Sequence, residues 1–182
     1  MFVDEIKLSV HSGAGGSGSV SFKKTSSKSS PSGGSGGSGG SVIITVNEEL
    51  NDLSHIISNS SLKAENGTDG NKNFQNGKKG KDLIIEVPKG TKIKVDNEVY
   101  ADLHENKSSF IVLEGSKEGR GNYDLISKRV PNPQFCEHGE KRNKIEIKLI
   151  YSIYSDLVIV GLPNAGKSTL ITKLTNSKAQ IA

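Results

Sequence analysis

The sequence holds no tryptophan, a single cysteine, and only five Phe and four Tyr among its 182 residues. One cysteine, Cys136, excludes an internal disulfide and suits a reducing compartment. No run approaches the ~20 apolar residues of a membrane-spanning helix. Asp4, Glu5 and Lys7 stand where a secretion signal would place its apolar segment. The chain is therefore expected to be cytoplasmic, and the sequons at Asn59, Asn66 and Asn106 carry no glycosylation meaning. Charge of one sign is also scarce: 24 Lys+Arg against 20 Asp+Glu leave a net +4, mildly basic and far from a histone-like polyelectrolyte. What remains is enough for a core. Leu, Ile, Val and Phe make about a quarter of the chain, above the roughly 20% below which a charged chain stays unfolded. Much of that quarter is β-branched, which favours strands.

Ile6, Leu8 and Val10 alternate with polar residues, so residues 2–10 are expected to open the chain as a half-buried strand. Strand patterns recur at 20–22, 42–46, 82–88, 91–95, 98–103, 109–113 and 144–150, with a Pro88-Lys89-Gly90 turn joining the runs at 82–88 and 91–95. Residues 50–62 read as loop with short strand pieces. Short strands punctuated by turns predict a small barrel or sandwich. Between them lie four glycine-rich stretches. In the second, residues 33–41 repeat Gly-Gly-Ser with a strict period of three after Pro31. Three residues per turn is the repeat of the polyproline II helix, and glycine at two of every three positions lets such helices pack backbone against backbone. A flexible linker is the competing reading, yet the material before it, about thirty residues, is too short to be an autonomous domain.

A different pattern begins near Tyr154. Residues 156–160, Asp-Leu-Val-Ile-Val, form a continuous apolar run of the kind buried on both faces of a parallel sheet. Then come Gly161, Leu162, Pro163, Asn164, Ala165, Gly166, Lys167, Ser168 and Thr169, and a stretch from Leu170 to Asn176 with helical spacing. Gly161-x-x-x-x-Gly166-Lys167-Ser168 matches the phosphate-binding loop in full. Such a loop wraps phosphate oxygens in backbone N–H groups, so side chains must be absent where the backbone comes closest. Lys167 would bridge β- and γ-phosphate oxygens, the Ser168 hydroxyl would ligate Mg²⁺, and Thr169 could support the site. Chance in a glycine-rich chain is the bland alternative, and the flanking strand and helix patterns argue against it.

Other candidates are weaker. Cys136 and His138 make half a metal site with no second pair at ligand spacing. His11, His55 and His104 have no nucleophile or carboxylate partner in the pattern. The lysines at 72–81, with Lys23, Lys24, Lys28, Lys141, Arg142 and Lys144, could contact RNA phosphates. The aromatic interleaving that would signal base stacking is missing from the linear sequence.

Taken in order, these blocks resemble the N-terminal part of an Obg-family GTPase. The resemblance covers Phe2-Val3-Asp4-Glu5, Gly13-Ala14-Gly15-Gly16-Ser17-Gly18 with Val20-Ser21-Phe22, the triplets from Pro31 to Gly40, and Ala64-Glu65-Asn66-Gly67. It continues through Gly77-Lys78-Lys79-Gly80-Lys81-Asp82, Val87-Pro88-Lys89-Gly90-Thr91 and Gly119-Arg120-Gly121-Asn122 to the loop at 161–168. It implies a mainly β fold. Residues 1–154 would be a domain of glycine-rich, polyproline-type helices on a small β-barrel, and residues 155–182 the first strand, loop and helix of an α/β P-loop GTPase domain. It also implies GTP or GDP with Mg²⁺, action in large ribosomal subunit assembly as a monomer, and a glycine-rich tip that reaches ribosomal RNA. A non-catalytic rRNA-docking module with a vestigial loop is the alternative.

Two departures from the family stand out. Ser35, Ser38 and Ser41 occupy positions where its glycine triplets usually carry aspartate, a loss of charge pairs expected to weaken the bundle. The family's Mg²⁺-closing threonine, Asp-x-x-Gly loop and guanine-recognising Asn-Lys-x-Asp segment do not occur within the 182 residues, so residues 155–182 alone are not expected to bind or hydrolyse nucleotide. Guanine over adenine is not encoded in the residues present.

Overall fold

The computed structural model describes residues 3–25, 28–95, 98–103, 109–152, 159–162 and 165–174. The chain divides into two compact units, Met1–Ser152 and Ile153–Ala182. Among its described residues the first unit has ten strands: β1 (Glu5–His11), β2 (Phe22–Thr25), β3 (Lys28–Pro31), β4 (Val42–Val46), β5 (Ser61–Lys63), β6 (Leu83–Val87), β7 (Thr91–Val95), β8 (Glu98–Leu103), β9 (Ser109–Leu113) and β10 (Lys144–Tyr151).

The alternation in β1 places Ile6, Leu8 and Val10 inward and fully buried. It pairs antiparallel with β10, Leu8 opposite Ile147, so the two hydrophobic sets face one side. A five-stranded sheet runs β5-β1-β10-β7-β8 and a three-stranded sheet runs β6-β4-β9. Ile44, Val87 and Val112 from the smaller sheet meet Ile93, Leu103 and Leu149 from the larger in one apolar core. The mainly β architecture expected from the pattern is thus present. Two differences concern short pieces. β5 lies in the stretch read as loop and is pinned as a parallel edge to β1. The strand expected at 20–22 starts instead at Phe22 and pairs with the serine-rich β3. Ser21 lies just before it, its carbonyl accepting both the Ser32 N–H at 2.8 Å and the Asn122 side-chain amide at 3.1 Å.

The glycine-rich stretches run from the ends of the core strands as six adjacent segments, residues 13–19, 33–40, 65–71, 75–81, 115–122 and 137–140, with neither helix nor strand. Their backbone bonds recur every third residue. The N–H groups of Gly13, Gly16 and Ser19 donate to Gly40, Gly37 and Gly34 at 2.8, 2.8 and 3.0 Å, and those of Gly34, Gly37 and Gly40 donate onward to Asn71, Thr68 and Glu65 at 2.9 Å each. Gly36 and Gly39 donate to Gly119 and Ser116 at 2.9 Å. Gly77 and Gly80 donate to Ser35 and Ser38 at 2.8 and 2.9 Å, so residues 33–40 form the centre of the bundle, bonded to four neighbouring segments, and all but Ser38 are buried. The linker reading is excluded.

Close approach, not an unusual φ, demands the glycines here. A Cβ on Gly36 would lie 2.0 Å from the Gly16 carbonyl oxygen, and one on Gly37 would lie 2.1 Å from that of Lys78. Ser35, expected to weaken the bundle, is partnered. Its hydroxyl donates to the Asp124 carboxylate and accepts the Gly121 N–H at 2.9 Å. At this position the acid is supplied across the bundle instead of within the triplet.

Candidate functional site

In the second unit, helix α1 spans Lys167–Leu174. It begins at the lysine of the phosphate-loop motif, three residues before the stretch read as helical. Its first intrahelical bond runs from the Leu170 N–H to the Gly166 carbonyl at 2.9 Å. The N–H groups of Lys167, Ser168 and Thr169 thus lie in the first turn, where no intrahelical acceptor exists. Gly166 has φ +80°, a left-handed conformation that an L side chain adopts only with strain, and this sets the sharp entry into the helix. At Gly161 the nearest atoms to an added Cβ are 3.7 Å away, so the two motif glycines are needed for different reasons. The Lys167 ammonium donates to the carbonyls of Gly161 at 2.9 Å and Leu162 at 2.8 Å, folding the loop back over its own start.

The structure therefore brings Gly161, Leu162, Ala165, Gly166, Lys167, Ser168 and Thr169 into one loop-and-helix turn. Pro163 and Asn164 lie outside the described residues, as do Asp156, Leu157 and Val158 of the apolar run. Ile159 and Val160 are not in a strand, and Val160 is 88% exposed rather than buried on both faces. A parallel strand is buried only by neighbouring strands and helices, and no described strand pairs with it.

The other candidate groups disperse. Cys136 is half-buried and unbonded to another cysteine, and His138 Nδ1 lies 3.5 Å from Ser17 Oγ. Among the described residues no three His, Cys, Asp or Glu side chains gather as a metal site. His55 bonds the Glu86 carbonyl through Nε2 at 2.9 Å, and His104 lies outside the described residues. His11 has its pKa lowered by burial first and then by Lys63, Lys144 and Arg142, so its ring is held neutral inside a basic neighbourhood. No described helix is long and apolar enough to cross a membrane.

Linear reading missed the opposite end of the glycine bundle, away from the core strands. Three connections meet there: β2–β3, the turn at 71–75 and the loop at 122–135. Phe74 N–H donates to Ser32 at 2.8 Å and Tyr123 N–H to Gly33 at 3.3 Å. Their rings meet edge to face with centroids 4.8 Å apart. Asn122, fully buried, ties the loops together: its Oδ1 accepts from Gly33 N at 2.7 Å, and its Nδ2 donates to Ser21 and Pro133 carbonyls at 3.1 Å each. No local periodicity could reveal a pair 49 positions apart.

Comparison with known proteins adds the lineage. The GTP1/OBG family model matches residues 3–153, and a model described as 50S ribosome-binding GTPase matches residues 156–182. The chain is similar to the GTPase Obg of Nautilia profundicola, at 42% identity over all of this chain and 52% of that protein. It is likewise similar to those of Finegoldia magna, at 41% over all of this chain and 44% of the relative, and Borreliella afzelii, at 40% over all of this chain and 56% of the relative. It spans about half the length of these relatives. With the bundle, the core and the loop all falling within the matched stretches, the chain belongs to the GTP1/OBG family and carries the start of the GTPase domain behind its glycine-rich domain.

Proposed function

We propose that this chain is the front part of a GTP-binding protein that acts on the large ribosomal subunit during its assembly. The observation that carries the nucleotide half is the loop at 161–168: a left-handed Gly166, a helix that opens at the motif lysine, and Lys167 folded back over the carbonyls of Gly161 and Leu162. Open space beside Gly166 and a hydroxyl at Ser168 fit a Mg²⁺-bound nucleoside phosphate. In the complete site Lys167 would exchange its two carbonyl partners for β- and γ-phosphate oxygens. The N–H groups of residues 166–169 would cradle the β-phosphate, and Ser168 would hold the metal. Mg²⁺, when bound, draws charge from the phosphate oxygens. Guanine selection and hydrolysis would rest on the family's remaining motifs, which these 182 residues do not contain.

The test is titration of a fluorescent GDP analogue into the protein isolated from its source. Binding should be displaced by GTP and not by ATP, and Lys167→Ala should weaken it by about 100-fold. Displacement by ATP, or undiminished binding by the Lys167→Ala protein, would remove the reading.

The ribosomal half draws on the matched family's description and on the concentration of positive charge at the far end of the glycine bundle. Binding of the chain to large subunits should fall linearly with log salt, as phosphate contacts require. Binding that ignores salt would count against it. A docking module with an idle phosphate loop would keep this second behaviour and lose the first.

A further inference from the structure

We infer that Phe74 and Tyr123 form a stacking platform for an unpaired RNA base, at the far end of the glycine bundle. The inference rests on the ribosomal half of the proposed function and makes it specific: the tip would grip a base, beyond tracking the phosphate backbone. Three independent observations meet there.

The first is exposure of aromatic surface with a fixed geometry. Phe74 is 46% and Tyr123 49% exposed, although the two rings pack edge to face with centroids 4.8 Å apart. A rigid aromatic face open to solvent is what base stacking uses, and it tolerates any base because every base has a π-face.

The second is strain. Asn73 and Phe74 are consecutive residues at φ 57° and 62°. Asparagine tolerates the left-handed region, whereas phenylalanine there is costly. The turn is nevertheless held, by Asn71 N–H to the Gln75 carbonyl at 2.7 Å and Phe74 N–H to Ser32 at 2.8 Å. The same turn closes the connection between segments 65–71 and 75–81, with Gln75 N–H to the Lys72 carbonyl at 3.4 Å, and it fixes the half-exposed Phe74 ring at the end of the bundle.

The third is charge. The three connections carry Lys23, Lys24, Lys28, Lys72, Lys128 and Arg129 against one acid, Asp124, whose carboxylate already accepts from Ser35. The chain as a whole is only +4, so everything outside these loops sums to about −1. Exposed aromatics inside a basic field favour nucleic acid over an apolar protein partner.

The experiment measures the full chain against purified large ribosomal subunits, and against a mixed-sequence 12-nucleotide single-stranded RNA containing 2-aminopurine. Stacking should quench the 2-aminopurine fluorescence on binding. Phe74→Leu keeps bulk and removes the π-face. It should weaken RNA binding by roughly tenfold and abolish the quench, while the slope of log affinity against log salt stays the same. Phe74→Tyr should restore both. Lys72→Ala should instead lower the salt slope by about 1 and leave the quench intact. Wild-type binding that Phe74→Leu and Tyr123→Leu leave unchanged would overturn the stacking site while sparing the ribosomal reading. Wild-type protein that binds neither subunits nor RNA at low salt would remove that reading and the stacking site with it.

Discussion

Gly36 and Gly161 are both glycines in glycine-rich text, yet the structure asks different things of them. A Cβ at Gly36 would sit 2.0 Å from a backbone carbonyl at the centre of the bundle, whereas at Gly161 it would meet nothing nearer than 3.7 Å. Gly36→Ala should therefore cost at least ~3 kcal/mol in urea denaturation, because two backbones must part to admit it. Gly161→Ala should leave the unfolding midpoint where it is. Ser35 gives a second case. Restoring the family's aspartate by Ser35→Asp would set a carboxylate against Asp124, which now accepts the serine hydroxyl. It should destabilise by about 1–3 kcal/mol at neutral pH, and adding Asp124→Asn should recover most of the loss. A stabilised Ser35→Asp single variant would show that the family's charge-pair pattern, not the local partner, governs the site.

Between segments 115–122 and 137–140 the backbone ladder is reinforced by one ion pair. Glu137 accepts from Arg120 Nε at 2.8 Å, Nη2 at 2.6 Å and the Arg120 N–H at 3.2 Å. These bonds, the Arg120 side chain first, pull its carboxyl from 4.5 down to about 2. A carboxylate with a lowered folded pKa contributes stability that is complete above its ordinary value and lost as pH falls from about 4.5 toward 2. Unfolding midpoints measured from pH 6 down to 2.5 should drop in that window. Glu137→Gln should flatten the part of the drop that belongs to this pair, and since the pair faces water, high salt should shrink it too. His11 acts at higher pH. Its pKa is lowered in the folded state from 6.5, so the unfolded chain binds more protons and stability falls as pH drops below about 6.5. His11→Gln should remove that shallow slope.

The whole molecule divides into two compact units. The first has one apolar core shared by two sheets. In the second, Val160 and Leu162 are 88% and 81% exposed, and surface of that kind is covered in an α/β domain by neighbouring strands and helices. The intact mass of the protein from its source decides how much of such a domain accompanies this chain. A mass at least some 15 kDa above 19.4 kDa should go with nucleotide binding. A mass of 19.4 kDa should go with salt-sensitive subunit binding and none of GDP.

Much of this was legible in the linear text, and for a physical reason. Alternation at Ile6, Leu8 and Val10 follows from the two-residue period of a strand, and the Gly-Gly-Ser triplets from a three-residue helix whose neighbours leave no room for Cβ. The phosphate loop reads directly because its chemistry is contiguous in the chain, from Gly161 to Ser168. Asn122 tying Ser21 to Gly33 and Pro133, Asp124 supplying the acid for Ser35, and Phe74 meeting Tyr123 were not legible. Each depends on residues tens of positions apart, brought together by a bundle whose backbone bonds fix which segments are neighbours. The sequence alone determined most of the core strands, the phosphate-loop motif and the family. Only the tertiary structure decided that the scattered aromatics and lysines share one end, because no local pattern encodes a contact made by packing.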